Sequence, residues 1–343
     1  MQTPWEHRYA QRTKQMKASA IRELLAFAER PGMISFGGGF PAPDVFPVEE
    51  FKRACEVALE TKGTEVLQYG STDGYVPLRE MISRYSIRSG MKIDINNILI
   101  TSGSQQALDL LGKIFINRGD RILVESPTYL GALQAWNAYG AEYISVPVDE
   151  YGMRIDLLEE ALRTGPKFIY VLPNFQNPTG TTLSLERRTK LIELADQYGV
   201  PIIEDDPYGQ LRYEGDDLPS VELLDSRIRE NNGTFTGNVI YLSTFSKILA
   251  PGLRLAWVVA PNNVIHKLRL AKQGTDLNTS TFNQIVAHEV GQHGFIDRHV
   301  EEMKKVYYER RNAMLDALEE HMPEGVTWTH PQGGLFLWVT LKN

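Results

Sequence analysis

Several residues in this chain have the types and spacing needed for chemistry on a carbonyl compound. Lys247 follows the β-branched run 239–243 in Thr244-Phe245-Ser246-Lys247, and Arg254 comes after a Pro251-Gly252 loop. A lysine amine at a strand end can form a Schiff base with an aldehyde while neighbouring hydroxyls and an arginine hold a phosphate. Taken alone, such a lysine reads first as an ordinary surface side chain, and only the rest of the chain changes that. Asp205-Asp206-Pro207-Tyr208 follows the run 201–204. A carboxylate facing a pyridine nitrogen keeps that nitrogen protonated and makes the ring an electron sink. Paired aspartates also bind metals or start turns, and both readings stay open at this point.

Two further segments supply polar groups. Asn174-Phe175-Gln176-Asn177-Pro178-Thr179-Gly180 follows the run 168–172. Its Asn-Pro step is a turn signal, and the Asn177 amide can also hydrogen-bond a phenolate oxygen. Thr101-Ser102-Gly103-Ser104-Gln105-Gln106 lies between a strand and a helix. There Ser104 and Gln105 offer backbone donors and the positive end of a helix dipole to a dianionic phosphate. A plain N-cap explains Ser104 as well. His288 and His293 suggest a zinc site, but they stand five residues apart, one too many for two ligands on one helix face.

The elements that must position these residues follow from periodicity. Short apolar runs at 98–101, 121–125, 142–147, 168–172, 201–204, 239–243 and 254–260 predict seven strands, alternating with helical patterns as in a mostly parallel sheet covered on both faces. Residues 105–116 carry apolar side chains at amphipathic-helix spacing. Residues 298–320 form a long charged helical segment, and 327–341 read as two strands around the Pro331-Gln332-Gly333-Gly334 turn. The fold class is therefore α/β with a smaller second α+β domain. The expected division is an N-terminal segment 1–45, a large domain 46–295, and a connecting helix with a partial small domain at 296–343.

Composition narrows the partners. The 343 residues are 42% hydrophobic and carry a net charge of −7, which disfavours nucleic-acid backbones and anionic membranes and favours a small-molecule partner. Cys55 is the single cysteine, the N-terminus lacks a signal-peptide core, and no apolar run approaches the ~20 residues that span a bilayer. A cytoplasmic location is expected.

The ordered motifs Ser-Gly-Ser-Gln-Gln, Pro-Thr-Tyr, Asn-Pro-Thr-Gly, Glu-Asp-Asp-Pro-Tyr and Ser-Thr-Phe-Ser-Lys, then Pro-Gly-Leu-Arg, resemble class I and II aminotransferases of fold type I across essentially the whole chain. The branch of 2-aminoadipate and kynurenine/2-aminoadipate aminotransferases is most similar, because Ala20-Ile21-Arg22-Glu23-Leu24 and Phe36-Gly37-Gly38-Gly39-Phe40-Pro41-Ala42-Pro43 recur there. The resemblance implies pyridoxal 5′-phosphate as cofactor, with Lys247 as Schiff-base lysine and proton shuttle and Asp205 on the pyridine nitrogen. It implies Tyr208 and Asn177 on the phenolate oxygen, Tyr129 stacked on the ring, and Ser104, Gln105, Thr244, Ser246 and Arg254 on the phosphate. Tyr69 is implied to reach the phosphate of a neighbouring subunit, which makes a homodimer with shared active sites. Substrate contacts are implied for Arg22, Gly39 and Asn177, with Arg22 meeting a distal carboxylate. The implied activity is ping-pong transfer of an amino group between an L-amino acid (2-aminoadipate, glutamate, aromatic or branched-chain) and a 2-oxo acid such as 2-oxoglutarate. A non-catalytic sensor module and another reaction on the same cofactor, elimination or decarboxylation, are the alternatives. The relatives continue past Phe336-Leu337-Trp338-Val339 to an arginine that binds the substrate α-carboxylate, and no residue here takes that role. An incomplete small domain with an open sheet edge is the corresponding expectation.

Overall fold

The computed structural model describes residues 3–16, 32–229, 235 and 237–342. Ten strands occur among them: β1 Ile98–Thr101, β2 Arg121–Ser126, β3 Glu142–Asp149, β4 Gly152–Met153, β5 Ile169–Val171, β6 Ile202–Asp205, β7 Val239–Thr244, β8 Ala256–Val259, β9 Thr327–Trp328 and β10 Val339–Thr340. The α-helices are α1 Val48–Lys62, α2 Val76–Arg88, α3 Ser104–Phe115, α4 Leu130–Asn137, α5 Leu158–Leu162, α6 Leu185–Tyr198, α7 Val221–Ile228, α8 Asn262–Gln273, α9 Thr281–Gly291 and α10 Phe295–His321.

Strands β1 to β8 form one sheet in the order β1-β8-β7-β6-β5-β2-β3-β4. Pairings among β3, β2, β5, β6 and β7 are parallel, while β8 runs antiparallel to both β7 and β1. All seven predicted strands are present. The sheet has eight rather than seven because Gly152 and Met153 fold back on Asp149 and Val148. Two residues are too few to carry an alternation signal. The strand predicted from Arg254 begins at Ala256 instead, since Arg254 sits in the left-handed region at φ 52° and cannot extend a ladder.

The central strands are buried along their whole length, so side-chain alternation separates two covered faces. Leu99, Ile122, Val124, Tyr170, Ile203, Leu242 and Val258 pack into one core with α3, α4 and α8. On the other face Leu123, Ile169, Val171, Ile202 and Val239 pack with α5, α6 and α7, and Ile98, Ile100, Tyr241, Trp257 and Val259 pack with α1, α2, α9 and the first half of α10. The long charged segment is helical over 27 residues, slightly more than the predicted 298–320. At the C-terminal side the two predicted strands shrink to the Thr327–Trp328 and Val339–Thr340 pair. The residues between them leave the ladder: Gly333 bridges Arg212 and Phe336 packs against Gly39. No helix among the described residues is long and apolar enough to cross a membrane.

Candidate active site

Strands β1, β2, β5, β6 and β7 share one direction, so their C-terminal ends open on one side of the sheet, where ligands of parallel α/β folds collect. Lys247 lies in the turn after β7, half-buried. Its Nζ donates to the Gly39 carbonyl at 2.8 Å and lies 5.8 Å from the Tyr208 ring centre. Burial, helped by the positive charge of Arg254, pushes its ammonium down to about 8. The neutral amine is thus within reach near neutral pH.

Asp205 ends β6 and is buried. Its Oδ2 accepts from the Tyr170 hydroxyl at 2.7 Å, and its Oδ1 is buried without a partner. Burial raises the carboxyl to about 7, with the Tyr170 hydrogen bond pulling the other way and Asp206 adding to the rise. The alternation of the strand gives the three neighbouring acids separate work. Glu204 accepts from the backbone N–H groups of Val221 and Glu222 at 2.9 and 2.8 Å and so caps α7. Asp206 is taken up by Asn174, the Gly209 N–H and the Tyr241 hydroxyl. Only Asp205 keeps an oxygen free for something else.

Tyr208 is buried beside Asp205, with Phe336 edge-on at 5.6 Å. Burial raises its phenol, with the fields of Tyr129 and Asp205 adding to the rise and a hydrogen bond to the Asn177 side chain opposing it. Tyr129 precedes α4, and burial followed by the Asp205 charge raises its phenol too. Gln105 holds Tyr129 in place: its Nε2 donates to the Gly131 carbonyl at 2.7 Å while its Oε1 lies 3.5 Å from the Tyr129 hydroxyl.

At the start of α3, the N-cap is Gly103 at φ 82°, without a side-chain cap, so Ser104 is the first helical residue rather than the cap. This leaves the Ser104 hydroxyl buried and without a partner, beside backbone N–H groups that no helix can satisfy at its N-terminus. The Arg254 guanidinium lies against Gly103, in the space that a Cβ there would fill. Arg254 is exposed and forms no ion pair among the described residues. Thr244 and Ser246 are buried and mostly bond each other: the Thr244 hydroxyl donates to the Leu255 carbonyl at 3.0 Å and accepts from the Ser246 N–H at 3.0 Å. They therefore shape the turn that carries Lys247.

Tyr69, expected to reach a neighbouring subunit, is 81% exposed in the single chain, and Arg22 lies outside the described residues. The structure also adds residues that the sequence did not single out. Tyr170 is one, and a hydroxyl inside an otherwise apolar strand is the signal that could have marked it. Gln176 is another: its Nε2 donates to the Pro127 carbonyl at 2.6 Å and its Oε1 accepts from Thr179 N at 3.0 Å, tying the Asn177 loop to the end of β2.

The two orphaned oxygens fit pyridoxal phosphate. A buried hydroxyl beside free helix N–H groups and an arginine suits a phosphate. A buried carboxylate oxygen 2.7 Å-anchored through its twin suits a protonated ring nitrogen. An eight-stranded mixed sheet that carries a half-buried lysine on the turn after β7 beside these groups has the architecture of a pyridoxal-phosphate enzyme of fold type I. The chain belongs to the aminotransferase class I and II family, whose profile matches residues 33–343. It is 46% identical to aromatic-amino-acid aminotransferase 1 of Thermococcus litoralis over 99% of this chain and 81% of that protein. A crystal structure of Pyrococcus horikoshii kynurenine aminotransferase superposes with a TM-score of 0.92 at 45% identity, over 99% of this chain and 83% of that one. The α-aminoadipate aminotransferase of Thermus thermophilus, solved with N-(5′-phosphopyridoxyl)-L-leucine, gives 0.90 at 41% identity over 99% and 83%. The protein is thus a pyridoxal-phosphate-dependent transaminase in the branch of the 2-aminoadipate and kynurenine/aminoadipate enzymes.

Proposed function

We propose that the enzyme moves amino groups from glutamate, 2-aminoadipate and aromatic or branched-chain L-amino acids to 2-oxo acids such as 2-oxoglutarate, in a ping-pong cycle, from a homodimer with shared sites. The observation that carries the reading is the Lys247 amine, held by the Gly39 carbonyl 5.8 Å from the Tyr208 ring centre, together with the buried, unpartnered Oδ1 of Asp205. When bound, pyridoxal phosphate supplies an aldehyde carbon and a protonated ring that stabilises negative charge developing at the substrate α-carbon.

Lys247 would anchor the cofactor through its amine, and as a free amine it would serve as the general base that takes the proton from the substrate α-carbon. Asp205 holds the ring nitrogen protonated, and Tyr170 keeps that carboxylate aimed. Tyr208 and Asn177 hold the ring oxygen, while Tyr129, braced by Gln105, covers the ring face and excludes water. Ser104, the first N–H groups of α3 and Arg254 bind the phosphate, and Thr244 with Ser246 sets the turn on which Lys247 stands. Gly39 brings its carbonyl to Lys247 and, with no side chain, leaves room for Phe336.

The donor range is supported by the names of the relatives, which cover aromatic amino acids, kynurenine and α-aminoadipate. Arg22 is the residue proposed to meet a distal carboxylate, so Arg22→Ala should lower the preference for acidic over aliphatic donors about tenfold, the worth of one charged hydrogen bond. Unchanged preference would remove Arg22 from the substrate site.

The test is the absorbance spectrum of the protein with pyridoxal phosphate. A visible band is expected that depends on Lys247, disappears with Lys247→Ala, and is replaced by an ultraviolet band when glutamate is added, with 2-oxoglutarate released in equal amount. A band that no amino donor changes would sink the transamination reading.

A further inference from the structure

The turn between β1 and α3 is gripped from behind by groups that play no part in the roles above. Lys272, on α8, has a fully buried side chain. Its Nζ donates to Asp276 Oδ1 at 2.7 Å and Oδ2 at 2.8 Å, and to Gln106 Oε1 at 2.9 Å, so the ammonium is fully engaged. Asp276 Oδ2 also accepts from Gln106 Nε2 at 2.6 Å and from the Ser102 hydroxyl at 3.0 Å. Gln106 Oε1 accepts in addition from the Ser102 N–H at 2.8 Å. Ser102 and Gln106 stand on either side of Ser104 and Gln105. The residues flanking the phosphate-facing pair are therefore both tied to one carboxylate.

Such a network is a poor way to gain stability. Desolvation offsets much of the attraction within a buried ion pair, and an apolar pair of the same shape often stabilises as much. It does fix direction. A carboxylate with three kinds of donor converging on it leaves Ser102 and Gln106 one arrangement, and with it the orientation of the Ser104 hydroxyl and of the first N–H groups of α3.

We propose that the Lys272–Asp276 pair is the positioning device of the phosphate seat, acting through Ser102 and Gln106. The proposal rests on the assignment of that seat to the start of α3. It touches neither the ring nor the substrate, so its removal should be felt by the phosphate alone.

The full chain is loaded separately with pyridoxal phosphate and with pyridoxal, which lacks the phosphate, and both dissociation constants are read from the absorbance of the bound ligand. The wild-type chain should bind pyridoxal phosphate more tightly. Asp276→Asn keeps the side-chain shape and removes the charge; it should cut the ratio of the two affinities about tenfold by weakening pyridoxal phosphate only. Equal weakening of both ligands, or an unchanged ratio, overturns the proposal. Ser102→Ala removes one hydroxyl and leaves the ion pair intact, which keeps the test available if Asp276→Asn does not fold. A smaller fall of the ratio in the same direction is expected there, and none overturns the proposal. A wild-type chain that does not distinguish the two ligands shows instead that no phosphate seat exists at α3, and the proposal falls with that assignment.

Discussion

Asp205 and Lys247 are each displaced from their ordinary ionisation, in directions that make separate expectations. Asp205 titrates near 7 in the folded chain and near 3.8 when unfolded, so between these values the folded state holds the extra proton. Without cofactor, the protein should lose stability as pH rises from about 4 through 7, and Asp205→Asn should remove that dependence in a thermal melt. Tyr170→Phe removes the one hydrogen bond that stabilises the charged form of this carboxylate. The acidic limb of kcat/KM should therefore move to higher pH, with activity at pH 7 reduced about tenfold. Lys247 behaves in the opposite sense. Its folded value near 8 lies below 10.5, so cofactor capture should speed up as pH rises through 8. Arg254→Gln removes a charge that depresses this lysine and should shift that limb upward. The family resemblance singled out Asp205, but the division of labour that occupies Glu204 and Asp206 while leaving it free was not legible in the sequence. It depends on what each face of β6 meets: the α7 N-terminus and Asn174 on one side, the open site on the other.

Elements set how well these side chains are presented. The start of α3 requires a residue at φ 82°, a region open mainly to glycine, and the Arg254 guanidinium occupies the space where a Cβ would go. Gly103→Ala should cost about 2 kcal/mol in chemical denaturation and weaken cofactor binding together with it. Behind the Asn177 loop, Arg188 of α6 is wholly buried and donates to the carbonyls of Leu183, Pro219 and Pro173 at 2.8 to 2.9 Å and to Asn174 Oδ1 at 2.6 Å. Arg188→Met leaves those acceptors unmatched, and a loss of about 3 kcal/mol or more is expected. The strands were readable because each is a short apolar run. Their ends were less so, since Arg254 and the residues before Val339 are set by loop conformation rather than by periodicity.

The proposed homodimer belongs to the whole molecule. Leu67 and Tyr69 are 75% and 81% exposed, and Ile34, Phe36 and Phe40 form a further exposed apolar stretch near the Gly39 loop. Large exposed apolar side chains of this kind are what the proposed dimer interface would cover. Sedimentation should give twice the 38.8 kDa chain mass, and Tyr69→Phe should weaken cofactor retention in the dimer without changing its mass. A monomer that retains the cofactor as tightly would end the shared-site reading.

By itself the sequence determined the α/β class, the family and the cofactor, because these depend on local patterns: runs of apolar residues, and motifs in a fixed order. Tertiary structure decided what occupies Glu204 and Asp206, that Gly103 rather than Ser104 caps α3, and that Tyr170, Gln176 and the Lys272–Asp276 pair stand behind the site. The contacts that decide most of this join residues distant in the chain, among them Tyr170 with Asp205 across 35 positions and Ser102 with Asp276 across 174. A hydrogen bond across such a span leaves no mark on local periodicity. It exists only once the sheet order has brought its two ends together.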